Sequence, residues 1–178
     1  MKLHVAVNET DQKQGNADAP LVLVEYGDYE CPHCGAAYPI IKKLQRHFGD
    51  KLLFVFRNFP LSEMHPNALA AARLAESAAL QDKFWPAHDL IYENQANLLP
   101  YQLLNYGKAI GADVKKLFGD MNSKLVNNKV DADVEGGIRS GVNGTPTFFI
   151  NGKRYDGYYE YETLKTALER NLQNRVLE

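Results

Sequence analysis

The chain has 178 residues, enough for one domain, or one domain with a large insertion, that buries its own core without covalent staples. Its 45% hydrophobic and 24% charged residues fall in the range of soluble globular proteins, and a formal net charge of −2 excludes the basic field that nucleic acid or an anionic membrane surface requires. Two cysteines cannot build a disulfide framework, and apolar runs such as "PLVLV" and "LLFVF" are strand-length, far short of a membrane span.

The N-terminal "MKLHVAVNETDQKQGNADAP" lacks the continuous apolar stretch of roughly 7–15 residues that a secretory leader needs, because His4, Asn8, Glu9 and Asp11 interrupt it. As it stands the sequence predicts a cytoplasmic address, or a periplasmic or other extracytoplasmic one if a leader has been removed. After the turn-like "QGNADAP", "APLVLVEYGDY" reads as a buried, β-branched strand. In "GAAYPIIKKLQRHFGD", Ile40, Ile41, Leu44 and Phe48 recur at helical spacing and Gly49 stops the run. "KLLFVFRNFP" is a second strand, closed by Pro60. The pattern is β-α-β.

From Met64 to about Gly141 the chain reads as helical almost throughout. "HPNALAAARLAESAALQ" is rich in Ala and Leu, with a Pro suited to a first turn. "DKFWPAHDLIYENQ" offers Phe84, Trp85, Leu90 and Ile91 as its buried set, and "PYQLLNYGKAIG", "DVKKLFGDM" and "NSKLVNNKVDADVEGGIRSG" supply further short helices. Strand character returns in "TPTFFINGKRYDG", where Asn151-Gly152 signals a two-residue hairpin. A last helix, "YEYETLKTALERNLQNRVLE", carries Leu164, Leu168 and Leu172 on one face.

Both cysteines lie in Cys31-Pro32-His33-Cys34, where the first strand hands over to its helix. Proline is suited to the first helical position because its missing N–H would be unpaired there anyway. That makes Cys31 the helix N-cap, its sulfur facing the free N–H groups of His33 and Cys34 at the positive end of the helix dipole. Such surroundings lower a thiol from about 8.5 to roughly 3.5–7.5, and a protonated His33 would add a nearby cation. Cys34, nearly one turn further in, stays a shielded thiol. The asymmetry makes Cys31 the attacking sulfur and Cys34 the resolving one. Two other readings stay open: two ligands of a zinc site completed by His33, His65 or His88, and an inert disulfide. Against zinc, neither a second C-x-x-C nor an H-x(3–5)-H pair is present.

"VEYGDYECPHC", "FRNFPL…HPNALAAARLAESA", "KFWPAHDLIYENQ" and "SGVNGTPTFFINGKRYDG" together resemble the DsbA-like branch of thioredoxin-fold proteins over nearly the whole chain. The resemblance implies an α/β thioredoxin-like fold, a central mixed sheet flanked by helices, with an inserted α-helical domain. Residues 1–62 would form its N-terminal part, 63–141 the insert and 142–178 the C-terminal part. It implies a cis Thr145-Pro146 peptide lying against the cysteines and pairing with substrate, and a buried acidic residue beneath them at Glu25. The strand "LLFVFRNF" offers Arg57 as a basic partner for Glu25, and that pairing is not assigned. The implied activity is thiol–disulfide oxidoreduction on protein or peptide substrates, with a redox partner protein or glutathione as further partners and no metal or organic cofactor. Its direction is open. The rivals are a zinc-binding or chaperone-like binding module, and a glutathione-dependent isomerase, relatives of which generally lack a counterpart of Cys34.

Overall fold

The computed structural model describes residues 1–176. Strands β2 (Leu21–Gly27) and β3 (Leu52–Asn58) run parallel and are joined by helix α1 (Pro32–Phe48), as parallel neighbours require. Strand β1 (Gln12–Gly15) adds antiparallel to β3, β4 (Thr147–Ile150) antiparallel to β2, and β5 (Lys153–Tyr155) antiparallel to β4. The sheet order is β1-β3-β2-β4-β5. Between β3 and β4 the chain inserts α2 (Ala68–Ala79), α3 (Phe84–Glu93), α4 (Pro100–Ala109), α5 (Val114–Met121) and α6 (Lys124–Arg139). Helix α7 (Tyr161–Val176) closes the fold, and the last two residues of the helix read from the sequence lie outside the described residues. This is a thioredoxin-like mixed sheet flanked by helices, with a helical insertion.

The period of two along β2 and β3 sorts their side chains between two cores. Leu21, Leu23, Phe54 and Phe56 face α1, α7 and the insert, in the cluster that holds both cysteines. Val24, Tyr26, Leu53 and Val55 face the other way, onto Ala19, Phe59, Val142 and Phe149. Leu164 and Leu168 of α7 are fully buried, and Leu172 is half-buried against the same cluster as the cysteines. Truncating a side chain as enclosed as Leu23 or Leu164 to alanine typically costs about 2–5 kcal/mol.

Two local readings change. Strand β1 overlaps the start of the turn-like "QGNADAP": "QKQG" has no apolar pattern because it is an edge strand with polar, half-exposed side chains, paired to Leu53–Phe56 through its backbone. In α3 the buried stripe is Phe84, Ala87, His88, Ile91 and Tyr92, at i, i+3, i+4, i+7 and i+8, so Trp85 and Leu90 are only half-buried. The displaced stripe takes in His88, which is 2% exposed among Tyr29, Phe56 and Phe84. Burial drives its pKa down, so it sits neutral, its Nδ1 2.9 Å from the Tyr29 hydroxyl.

Candidate active site

Helix α1 begins at Pro32, and Cys31 is its N-cap with extended backbone (φ −70°, ψ 121°). No formal cap bond closes onto the sulfur, but the N–H groups of His33 and Cys34 face it and favour its anion. Both cysteines are free thiols; Cys31 is 4% exposed and Cys34 not at all. The first influence on Cys31 is the Cys34 thiol, which donates to it; opposed by burial and helped by Thr145 and the two amides, it brings the Cys31 pKa down to about 5. Burial drives the Cys34 pKa the other way, well above the ordinary thiol value, and hydrogen bonding to Cys31 and the charge of Glu25 add to it. The two sulfurs, chemically identical in sequence, are set far apart in acidity.

Thr145 faces Cys31 with two groups of opposite preference. As a thiol, Cys31 donates to the Thr145 carbonyl at 3.5 Å. The Thr145 hydroxyl, buried without a hydrogen-bond partner among the described residues, favours the ionised sulfur. The Thr145–Pro146 peptide is cis and runs directly into β4, the neighbour of β2. Thr145, half-exposed like Gly144 and Pro146 on either side of it, therefore borders Cys31.

Glu25 is on β2, opposite Phe56 on one side and Phe148 on the other, so it points to the same face as the cysteines. It is 2% exposed, and burial first, then the Cys31 charge, raises its pKa to about 8. Arg57 is not its partner: opposite Tyr26 in the register, it points to the other face and pairs with Asp11. His33 is exposed, and its Nδ1 lies 3.1 Å from the Tyr159 hydroxyl. His65 and His88, the other nitrogens considered for zinc, are engaged elsewhere, on Asp28 and Tyr29.

Three residues that sequence reasoning passed over hold the dithiol loop. Asp28 donates its N–H to Cys34 Sγ (3.5 Å) and accepts the Cys31 N–H at its carbonyl (3.2 Å). Glu30 accepts the N–H of Asn67, the N-cap of α2, at 2.6 Å. Gln95, after α3, donates Nε2 to the carbonyls of Tyr29 (3.0 Å) and Cys31 (2.7 Å). Its amide lies so close over α1 that a Cβ on Gly35 would collide with it. Asp28 and Gly35 flank the motif and could have been flagged there; Gln95 is 64 residues from its partner, with no local signal.

A dithiol at a helix N-terminus, on a mixed sheet and against a cis-proline loop, defines a thioredoxin-fold dithiol protein. Known proteins agree. A family model described as thioredoxin matches residues 7–170. The structure superposes on BdbD from Bacillus subtilis in its oxidised form with TM-score 0.83, 25% identity and coverage of 92% of this chain and 94% of that one. It also superposes on the thiol-disulfide exchange protein alpha-DsbA2 from Wolbachia pipientis with TM-score 0.80, 22% identity and coverage of 90% and 87%, a likeness of fold. The chain belongs to the thioredoxin family, and its fold is DsbA-like. A sequence relative from Mycobacterium sp. (strain KMS), named Na(+)/H(+) antiporter NhaA 1, is 43% identical over 163 residues; the match takes in 90% of this chain but only 27% of that protein. The chain thus spans about a quarter of the length of the curated relatives it matches.

Proposed function

We propose that this chain exchanges disulfides with protein or peptide thiols through Cys31 and Cys34, and that its disulfide is oxidising. The observation that carries the reading is the split acidity of the two sulfurs: one ionised at neutral pH at a helix N-terminus, the other a buried thiol. In the oxidised form a substrate thiolate attacks Cys31 Sγ. The Cys31–Cys34 bond breaks, Cys34 takes up a proton, and a substrate–Cys31 mixed disulfide remains. The substrate's second thiolate then attacks its own sulfur in that bond and expels Cys31 as the thiolate. The substrate leaves with one disulfide, and the protein keeps the two electrons as its dithiol.

The direction follows from the leaving group. A thiol with a pKa of about 5 is stabilised at pH 7, relative to an ordinary cysteine, by roughly 2–3 kcal/mol in its ionised form. That favours the reduced protein and raises the potential by of order 60 mV. An oxidising dithiol persists where glutathione and thioredoxin do not keep it reduced, so this reading goes with the extracytoplasmic of the two addresses the sequence allowed. The half-exposed Gly144–Pro146 segment supplies a backbone along which an extended substrate strand can lie beside the mixed disulfide. Pro32 fixes the helix start, and His33 and Glu25 tune the site.

The test is a pair of variants. Cys34→Ser keeps the activated thiolate but no internal thiol to release a partner, so it should accumulate mixed disulfides with substrate proteins or glutathione, seen as mass adducts that reductant removes. Cys31→Ser leaves only the shielded thiol and should trap nothing. Equal trapping by both variants, or by neither, would refute the reading.

A further inference from the structure

We propose that His65 is a positioning residue of the dithiol: its imidazolium pairs with the buried carboxylate of Asp28, fixes the loop that carries both sulfurs, and offsets the negative charge that Asp28 would otherwise set beside the Cys31 thiolate. The effect on potential rests on the exchange reading above; the pairing itself does not.

Asp28 is the residue through which both cysteines are held, by its N–H to Cys34 Sγ and its carbonyl to the Cys31 N–H. Its side chain is completely shielded from solvent. One carboxylate oxygen accepts the Glu30 N–H at 2.8 Å; the other accepts the Leu61 N–H at 2.9 Å and His65 Nδ1 at 2.7 Å. Of these partners only His65 can carry a positive charge. An anion left buried without one is strongly unfavourable, and here it would also repel a thiolate three residues away. His65 lies in the turn between β3 and α2, with 16% of its side chain exposed, so it reaches solvent protons while gripping a carboxylate that does not.

The groups that face His65 from the dithiol loop are all acidic: Asp28, Glu30 and Cys31. In its own turn, Glu63 is exposed. The hydrogen bond of His65 to Asp28, opposed by partial burial and reinforced by the charges of Asp28, Cys31 and Glu30, raises the His65 pKa and favours the imidazolium. Coupling of this kind is reciprocal. A thiolate at Cys31 must strengthen the hold of His65 on its proton, and His65⁺ must favour the thiolate by the same factor.

A capping histidine would not know the state of Cys31, and that is the test. The His65 ring protons are titrated by NMR in the full reduced chain and in Cys31→Ser. The proposal expects the His65 midpoint to fall in Cys31→Ser by about half a unit, roughly threefold in proton affinity, the size of a screened charge pair near the surface. Identical His65 midpoints in the two proteins would overturn it. In His65→Gln, the Cys31 thiolate midpoint should rise and the equilibrium with glutathione should move three- to tenfold towards the disulfide form; a folded variant with neither change would also overturn it. Should His65→Gln not fold, the first comparison decides. Absence of trapping by Cys34→Ser would remove the exchange reading and leave the His65 titration as informative as before.

Discussion

Glu25 and Arg57 stand on neighbouring parallel strands, one register step apart, on opposite faces of the sheet. Both are nearly inaccessible, and the protein treats them in opposite ways. All five N–H donors of Arg57 are used: two on the Asp11 carboxylate, and the rest on the Tyr26 hydroxyl and the carbonyls of Val5 and Ala6. Although burial opposes it, this fork holds Asp11 below the usual carboxylate range and Arg57 above the usual arginine value. Glu25 has aromatic register partners and a sulfur anion nearby, and its acidity is driven the other way. A buried charge that is fully compensated ties the N-terminal segment to the sheet. One left uncompensated under a dithiol is available to hold a proton.

Breaking the compensated side should have the largest effect. Arg57→Leu leaves Asp11 buried without a partner, and we expect a loss of about 3–5 kcal/mol in denaturant unfolding with the Cys31 thiolate midpoint unchanged. A shifted midpoint would show that the two faces are coupled.

The uncompensated side should respond with the opposite sign. Glu25 has a folded pKa of about 8, above the ordinary 4.5, so the folded state binds the proton more tightly and stability falls as pH rises between those values. At neutral pH the penalty is roughly 3 kcal/mol. Glu25→Gln should remove it, making the variant more stable than the parent at pH 7–8 and indistinguishable at pH 4. Parallel stability–pH curves for the two proteins would contradict this.

Much of this contrast was out of reach of the sequence. The strands β2 and β3, helix α1 and the Asn151-Gly152 hairpin are legible because each is apolar at one period and bounded by Pro or Gly. The place of Cys31 at the helix N-cap follows from Pro32 alone. The burial of Glu25 beneath the cysteines came from family resemblance, since "LVLVEYG" does not say which face of the strand is covered more deeply. What one sequence could not reveal were contacts made across the insert: Asp28 with His65, Glu30 with Asn67, Gln95 with Cys31. Each joins a residue of the dithiol loop to an ordinary polar residue 37 or more positions away, and no period marks it. For α3 the reading failed because a histidine occupies a core position, where only its enclosure by aromatic rings makes it a core residue.

The smallest expected effect is at His33. Its ring lies by Tyr159, while the leading influences on the Cys31 sulfur are Cys34, Thr145 and two backbone amides. His33→Ser should raise the thiolate midpoint by less than about one unit and make the disulfide correspondingly less oxidising. A larger rise would transfer the main stabilising role from the Cys34 thiol and its neighbours to the imidazole.

The difference in acidity between the two sulfurs is reached most directly by the pH dependence of alkylation at each cysteine, read separately by peptide mass spectrometry on the reduced chain. Cys31 should react with a midpoint near pH 5, and Cys34 should remain unreactive through neutral pH. A Cys31 midpoint in the ordinary thiol range of about 8–9, or matching profiles for the two cysteines, would contradict the claim.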